Sequence, residues 1–347
     1  MRAILLAVIL STATVSFSQQ PDYKSDPKFQ KAWKEGEELS RHSNQLIFAI
    51  DAFRKANKIA NGQCDECLRK MLALQFKVGA YKDAIGTAAA LEAIARTPKE
   101  KAYAEGMRAS AIFTSAGDKP KPAQLEEADA AYKASLSLNP NSKDAWYEDG
   151  RVLAMLNKDE EAKAAFQQFL DHAPVSDKYA TRAEHFIENP AMAREKMAPA
   201  VKVVTAQGEE FNLDDMGGKV VLIDFWATWC GPCNEELPNV KRIAKDFAGQ
   251  PFVLLSVSWD ADANKWQEFI NKNEMTWNQY RDKDHELSKA FGVEAIPHYF
   301  TIDSDGVLKA EVLGSGNDVE GKLKKLVAKA KAAQAAQAAK AATSSGN

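Results

Sequence analysis

Hydrophobic positions follow two different patterns along this chain, and they predict two kinds of domain. Over residues 27–189, apolar positions recur at helical spacing, and turn signals such as Asn61-Gly62 and Asn139-Pro140 separate the segments. Over residues 199–331, short β-branched and aromatic runs alternate with amphipathic helical segments. The sequence therefore predicts an all-α domain followed by an α/β domain. Residues 332–347 are rich in Ala, Gln and Lys and predict a low-complexity tail that frays.

The same patterns place the individual elements of the second domain. A hairpin is predicted from residues 201–205 and 209–213, around a turn at Gln207-Gly208. The other predicted elements are, in chain order, a strand at 220–226, a helix after Cys233, a strand at 251–258, a helix at 262–273, a strand at 275–280, a helix at 284–291, strands at 298–303 and 307–313, and a helix at 319–331. The strand at 251–258 is expected to run parallel to the first one, through a βαβ crossover.

A pair of cysteines lies where the first buried strand meets its helix. The apolar run at residues 220–226, interrupted by Asp224, predicts the strand, and Cys230-Gly231-Pro232-Cys233 follows it. Cys230 is thus expected at the helix N-terminus, where unpaired backbone N–H groups and the helix dipole favour a thiolate. The thiolate is the nucleophile of disulfide exchange, and two intervening residues let Cys233 close back on Cys230. A structural disulfide or half of a zinc site are the alternatives.

Residues 225–233, together with Glu235-Glu236-Leu237-Pro238, resemble the thioredoxin superfamily and within it the TlpA/ResA type, or redoxin branch, of thiol–disulfide oxidoreductases. A second element, Ile296-Pro297, belongs to the same resemblance. In this family the proline is cis and packs beside the cysteine pair, and the backbone of the residue before it binds the substrate chain. The resemblance implies a thioredoxin-like domain with a central mixed sheet flanked by helices. It implies no cofactor other than the redox-active Cys230–Cys233 disulfide.

The resemblance also assigns roles to single residues. Cys230 is the attacking cysteine and Cys233 the resolving one. Asp224 matches the buried acid of thioredoxins, and burial raises the pKa of a carboxyl group toward the range useful for proton transfer. Glu236 matches the active-site glutamate of the ResA type, so the proton acceptor stays open between the two, as does a surface role for Glu236. The residues expected to contact the substrate are Trp229, Gly231, Pro232, Ile296 and Pro297, whereas His298 is expected to be structural.

The helical domain contains a repeat signal, which is clearest in residues 143–176. Its small and aromatic positions match a tetratricopeptide repeat, and a shift of one 34-residue repeat gives a second, related set. The matching residues are Trp146, Gly150, Ala162, Phe166 and Pro174, with Ala128, Tyr132 and Pro140 in the preceding unit. The small residues are expected where helices cross, with Trp146 and Phe166 filling the space between helix pairs. The resemblance implies stacked helix pairs that bind a peptide or protein ligand; a plain helical bundle is the alternative.

A second cysteine pair, Cys64-Asp65-Glu66-Cys67, lies at the head of a predicted helix. A local disulfide is the favoured interpretation in an exported protein, while a second redox site, two free thiols and a four-cysteine zinc site stay open. The five histidines show no ligand spacing, and no glycine-rich phosphate loop is present. No metal site is therefore predicted.

Residues 1–18 have the pattern of a secretory signal. Met1-Arg2 precedes a short apolar core, and small residues stand before Gln19. We expect an exported protein, periplasmic or secreted, that is soluble after cleavage; an uncleaved N-terminal membrane anchor is the alternative. An exposed dithiol in an oxidising compartment needs an upstream electron donor, for which a membrane thiol reductase is a candidate. The net charge of −3 gives no indication of nucleic-acid binding.

These features together predict an exported thiol–disulfide oxidoreductase that acts on protein clients. The Gly231-Pro232 dipeptide resembles that of reducing thioredoxins, so reduction of disulfides is the expected direction, with the helical domain recruiting the partner. One alternative is a protein-binding scaffold in which the Cys230–Cys233 pair is a redox-sensitive latch. Another is a thiol peroxidase, although the sequence departs from the P-x-x-x-T-x-x-C context that such an enzyme needs.

Overall fold

The computed structural model describes residues 23–316 and 318–344, so the predicted signal at residues 1–18 lies outside the described residues. The chain forms two compact units, one that ends at Ala111 and one that begins at Ile112. The division falls inside a helix, Pro98–Ser115. Each unit is described by itself below.

The first unit is built from helices. They are α1 (Pro27–Leu39), α2 (Leu46–Ile59), α3 (Asp65–Lys77), α4 (Tyr81–Ile94) and the start of α5 (Pro98–Ser115). Helix α1 begins with Pro27 because the Asp26 carboxylate caps the backbone N–H of Lys28, at 2.7 Å. Helices α1 and α2 pack closely at Gly36, where a Cβ atom would lie 2.8 Å from the ring of Phe53. Only glycine permits this approach.

The second unit opens with four more helices. They are α6 (Pro122–Leu138), α7 (Lys143–Met155), α8 (Asp159–His172) and α9 (Ala180–Glu188). Helix α7 packs on α8 at Gly150, where a Cβ would lie 2.7 Å from the ring of Phe166, which repeats the arrangement of Gly36 and Phe53. In the described part of residues 27–189, all regular secondary structure is helical and no strand is present, as predicted. The tetratricopeptide identity stays a prediction.

The aromatic residue at the centre of the helices α7 to α9 is Tyr147, which the repeat pattern did not single out. Its ring lies 4.8 to 6.4 Å from the rings of four other aromatic residues, Phe166, Phe169, Tyr179 and Phe186. Trp146, which we expected to fill this space, is only half-buried at the edge of the cluster, and its indole N–H donates to the Pro140 carbonyl at 2.7 Å. Phe166 is fully buried, as expected.

The α/β domain consists of a hairpin and a five-stranded sheet with flanking helices. Its elements are β1 (Lys202–Val204), β2 (Glu210–Asn212), β3 (Val220–Trp226), α10 (Gly231–Asp246), β4 (Phe252–Ser258), α11 (Ala263–Lys272), β5 (Asn278–Arg281), α12 (Glu286–Phe291), β6 (His298–Ile302), β7 (Leu308–Leu313) and α13 (Val319–Ser344). The sheet order is β5-β4-β3-β6-β7. Strands β3, β4 and β5 are parallel, and β6 and β7 are antiparallel to their neighbours, so the sheet is mixed.

The central strand, β3, places the site. All seven of its residues are buried, because both faces of the sheet are covered. Ile223 and Phe225 face a core with α12 and the hairpin, whereas Val220 and Leu222 face a core with α10 and α13. By alternation, Asp224 lies on the α10 side, inside the second core. The carboxyl end of β3 leads directly to the cysteine pair.

Two predicted boundaries are wrong. The strand expected at 275–280 begins at Asn278, because Met275 is buried among side chains beneath the cysteines and pairs with no neighbouring strand. The last helix, expected to end at Lys331, continues to Ser344, since Ala, Gln and Lys are strong helix formers. Among the helices that the structure describes, none is both long enough and apolar enough to cross a bilayer.

Candidate active site

The cysteine pair lies at the start of α10. Cys230 is the N-cap residue, and its sulfur is bonded to that of Cys233 and lies 3.2 Å from the Cys233 backbone nitrogen. Gly231 and Pro232 are exposed in the first turn, where proline needs no N–H partner. The helix N-terminus therefore faces the Cys230 sulfur, and it stabilises the thiolate once the pair is reduced.

The segment before β6 forms the opposite wall of the site. The Ile296 carbonyl oxygen lies 3.8 Å from the Cys230 sulfur, and the Ile296–Pro297 peptide bond is cis. Pro297 is buried and Ile296 is half-buried, whereas the neighbouring Trp229 is 64% exposed. The structure thus places Ile296 beside the Cys230 sulfur, while the exposed Trp229, Gly231 and Pro232 adjoin the two cysteines in the chain.

A buried carboxylate, Asp260, fixes the turn that leads into Cys230. It accepts hydrogen bonds from the Thr228 backbone N–H at 2.9 Å, from the Thr228 hydroxyl at 2.5 Å and from the Ser258 hydroxyl at 2.7 Å. Sequence reasoning missed this residue. A signal was present, because Asp260 comes just after the predicted strand at 251–258, and the carboxyl ends of neighbouring parallel strands meet at one edge of the sheet.

Asp224 is buried in β3 on the side of the sheet that faces α10, and only 4% of it is exposed. The Ser256 hydroxyl donates to its Oδ2 at 3.0 Å. Burial raises the pKa of Asp224 to about 7; the Ser256 hydrogen bond opposes this rise, and the negative charge of Glu236 adds to it. A carboxyl group with such a pKa can accept or release a proton near neutral pH.

Glu236, on α10, is held by two donors. Its carboxylate accepts from the Asn239 side-chain amide at 2.9 Å and from the Gly316 backbone N–H at 2.8 Å. Tyr299 of β6 pairs directly with Asp224 across the sheet, and both Glu236 and Tyr299 line a cavity of about 310 Å³ beside α10. Burial, together with the charges of the two carboxylates, raises the pKa of Tyr299 above its ordinary value, so its hydroxyl stays protonated at neutral pH.

His298, next to Pro297, points away from this chemistry. Its Nε2 lies 2.9 Å from a Glu311 carboxylate oxygen on β7, and its ring stacks on Phe300 with centroids 4.7 Å apart. These contacts fit the structural role expected for it.

The second cysteine pair is closed. Cys64 and Cys67 are joined by a disulfide, and both are completely buried at the start of α3, with Cys64 as its N-cap. They pack among Phe29, Ala32 and Ala56. The structure thus has the local disulfide that the sequence favoured, and its burial keeps it from direct exchange with another protein.

Comparison with known proteins places these features in context. A family model described as the AhpC/TSA family matches residues 195–311. The thioredoxin-like protein YneN of Bacillus subtilis (strain 168) is 30% identical over 116 residues, which cover 33% of this chain and 68% of that protein. The thiol-disulfide oxidoreductase ResA of Bacillus thuringiensis (strain Al Hakam) is 28% identical over 143 residues, which cover 41% of this chain and 83% of that protein.

A solved structure, a thiol-disulfide oxidoreductase from Bacteroides fragilis NCTC 9343, is 28% identical in sequence. The match covers 38% of this chain and 99% of the chain in that structure, with a TM-score of 0.35.

Proposed function

We propose that this chain, which belongs to the thioredoxin-like thiol–disulfide oxidoreductases of the ResA/TlpA type, is an exported reductase of protein disulfides. The observation that carries this proposal is the position of the Cys230–Cys233 pair, at the N-terminus of α10 and 3.8 Å from the Ile296 carbonyl. The exposed Trp229 beside it offers an apolar surface to an approaching protein chain.

The proposed cycle consists of two exchanges. The Cys230 thiolate attacks one sulfur of a client disulfide, which forms a mixed disulfide and releases the other client sulfur as a thiolate. Cys233 then gives its thiol proton to Asp224 and attacks the Cys230 sulfur, which releases the second client thiolate. The client has gained two electrons, and Cys230 and Cys233 are left joined. An upstream dithiol donor, such as a membrane thiol reductase, must return two electrons in each cycle.

Asp224 is the proposed proton acceptor, with Glu236 acting on it from a distance. Asp224 is buried and has a pKa near 7, whereas the Glu236 carboxylate is engaged by Asn239 and Gly316. The charge of Glu236 helps to raise the pKa of Asp224. We assign substrate contact to Trp229 and to the Ile296 backbone. The buried Pro297, which follows Ile296 through a cis peptide bond, holds that backbone in place.

The proposed direction of the disulfide exchange and the proposed location of the protein are both inferred from the sequence. The Gly231-Pro232 dipeptide supports reduction, and residues 1–18 support export. Equilibration of the Cys230–Cys233 pair with dithiothreitol tests the direction: a potential near about −270 mV fits a reductase, and one near about −120 mV fits an oxidant. Fractionation of cells that express the full chain tests export, and recovery with the cytosolic contents would contradict it.

We further propose that the helical region recruits the client, through tetratricopeptide-like stacking of its helix pairs. The glycine-on-phenylalanine packing seen at Gly36 and Phe53 and again at Gly150 and Phe166 supports a repeated helix pair, the unit from which such stacks are built. Between α1 and α2 runs an open groove of about 490 Å³ with an apolar floor of Ala32 and Ile59. Its rim has four basic residues and one acidic residue, Lys28, Lys31, Lys55, Lys58 and Glu35. This charge favours an acidic segment of the client protein.

Turnover tests the enzymatic part of the proposal. With dithiothreitol as donor, the full chain should reduce many equivalents of a protein disulfide, and Cys233→Ser should accumulate the mixed disulfide on Cys230. A redox latch would instead react once and stop. Consumption of peroxide in place of protein disulfide would support the peroxidase alternative and overturn the proposal.

Binding tests the recruiting groove. A synthetic peptide of alternating Glu and Leu should bind the full chain, and Lys31→Glu/Lys55→Glu should weaken its binding at least about tenfold. The control is Lys77→Glu/Lys82→Glu, which reverses two exposed charges outside the groove. Equal weakening by both double variants would show only a general charge effect. Binding of the native chain to anionic lipid vesicles but not to the peptide would also contradict a protein client.

A further inference from the structure

A chain of two hydrogen bonds runs through the core to Asp224. The indole N–H of Trp277 donates to the Ser256 hydroxyl oxygen at 2.8 Å, and the Ser256 hydroxyl donates to the Asp224 carboxylate at 3.0 Å. Ser256, on β4, is completely buried. Trp277 comes just before β5 and packs against both the core below α10 and the cluster that contains the two active-site cysteines.

The chemistry of the three groups fixes the direction of this chain. An indole N–H can only donate, so the Ser256 oxygen accepts from it, and the single hydroxyl proton of Ser256 is left for Asp224. A donor aimed at a carboxylate favours its ionised form. The ionised form is the one that can take a proton from Cys233.

We propose that Trp277 and Ser256 are positioning residues that favour the ionised form of Asp224 and orient it to accept the Cys233 proton. This inference rests on the proposed function, in which Asp224 is the acceptor. The sequence placed Asp224 but gave no sign of the two residues that support it. They come from a neighbouring strand and from the approach to the next one.

The groups that face Asp224 from the neighbouring elements affect its ionisation in different directions. Glu236, from α10, brings a second negative charge. Tyr299, from β6, is buried and remains a neutral hydroxyl at neutral pH. Ser256, from β4, opposes the effect of burial and of Glu236. Among these groups, the hydrogen-bond chain is the one that favours the ionised form of Asp224, against burial and the charge of Glu236.

The test is the pH dependence of disulfide-reduction turnover in the full chain. In the native protein turnover should rise with pH as Asp224 ionises. Ser256→Ala and Trp277→Phe should move this rise to higher pH and lower turnover at pH 6 by about threefold to tenfold, with turnover at pH 9 unchanged. Ser256→Thr, which retains a hydroxyl, should restore the native profile.

Trp266→Phe is the matched control. Trp266 is buried in the same cluster as the cysteines, but its indole N–H has no hydrogen-bond partner among the residues that the structure describes. This variant removes the same chemical group without breaking the chain, so its pH profile should match the native one. Circular dichroism of each variant confirms that its fold is retained.

Asp224→Asn separates the two possible failures. If it leaves the pH-dependent rise intact, Asp224 is not the proton acceptor and the proposed mechanism fails. If Asp224→Asn abolishes the pH-dependent rise while Ser256→Ala and Trp277→Phe keep the native midpoint, Asp224 is the proton acceptor, but the positioning role of Ser256 and Trp277 is overturned. A Trp266→Phe shift as large as that of Trp277→Phe would also overturn it.

Discussion

Arg182 of α9 donates its Nε–H to the Asp214 carboxylate at 2.8 Å, and both side chains are buried. Arg182 also donates to the Ala198 carbonyl at 2.7 Å. The sequence assigned Arg182 to the helical domain and Asp214 to the α/β domain, and neither was singled out. The second unit is therefore held together across that predicted boundary by a buried ion pair.

Breaking this pair should destabilise the second unit. Arg182→Met leaves a buried carboxylate without its partner, which costs about 3 kcal/mol or more of unfolding free energy. Arg182→Met/Asp214→Leu removes both charges and should recover most of that loss. Urea unfolding followed by tryptophan fluorescence measures the difference. Lys163→Met, which breaks a surface pair with Glu160, should change stability by less than about 1 kcal/mol. Full stability of Arg182→Met would contradict this account.

The glycine at the α7–α8 contact gives a second stability prediction. Gly150→Ala forces a methyl group into the ring of Phe166 and should cost about 1–3 kcal/mol, even though alanine is the better helix former. The control is Gly86→Ala in α4, where nothing lies within 4 Å of the new methyl group, so the change should stabilise by about 0.5–1 kcal/mol. Thermal unfolding compares the two. Stabilisation by both substitutions would show that α7 and α8 do not approach each other closely at Gly150.

Local signals were sufficient to predict the junction between β3 and α10. An apolar run marks the strand, helical spacing marks the helix, and the cysteines lie between them, so Cys230 and Cys233 could be placed without tertiary information. Pro297 is far away in sequence and was placed by the family resemblance. The hairpin and the order of strands and helices were also predicted, because each element has its own periodicity.

Residues that act on the site from other strands could not be predicted in this way. Asp260 and Ser256 reach it only through the pairing of β4 with β3, and a register depends on contacts between distant segments. Trp277 was assigned to the strand predicted at 275–280, whereas in the structure it lies before β5 and donates a hydrogen bond to Ser256. The missed residues are those whose role depends on which strands become neighbours.

Asp260 should affect the first exchange more than the second. Asp260→Asn weakens the bonds that hold Thr228 and the turn before Cys230, so we expect mixed-disulfide formation to slow about tenfold while resolution by Cys233 changes little. Stopped-flow mixing with a client disulfide, with Cys233→Ser in the background, measures the first step alone. Asp262→Asn is the control, since it removes a nearby charge but asparagine caps α11 equally well. If both variants slowed mixed-disulfide formation equally, the loss of a negative charge, and not the loosening of the turn before Cys230, would explain the effect.

Asp149, buried in α7, should make the second unit more stable in mild acid. Burial, above all, and the nearby Asp129 raise the pKa of Asp149 to about 7, against the opposing effect of Lys133 and Lys158. Because the folded state holds this proton more tightly than the unfolded state, the contribution to stability is complete below about pH 4 and is lost as the pH rises through 7. If the pKa of Asp149 falls from about 7 to its ordinary value of 3.8 on unfolding, this contribution is at most about 4 kcal/mol.

Asp149→Asn tests this reasoning, because the amide stays neutral at every pH. Its unfolding free energy should exceed that of the native chain at pH 8, and the excess should be smaller at pH 5, where the carboxyl group of the folded native chain is already protonated. Asp144→Asn, on the exposed side of the same helix, should follow the native chain at both values. Urea titrations at the two pH values measure these differences. If Asp149→Asn were less stable at pH 8, the attraction of Lys133 and Lys158 for the charged carboxylate would outweigh the effect of burial.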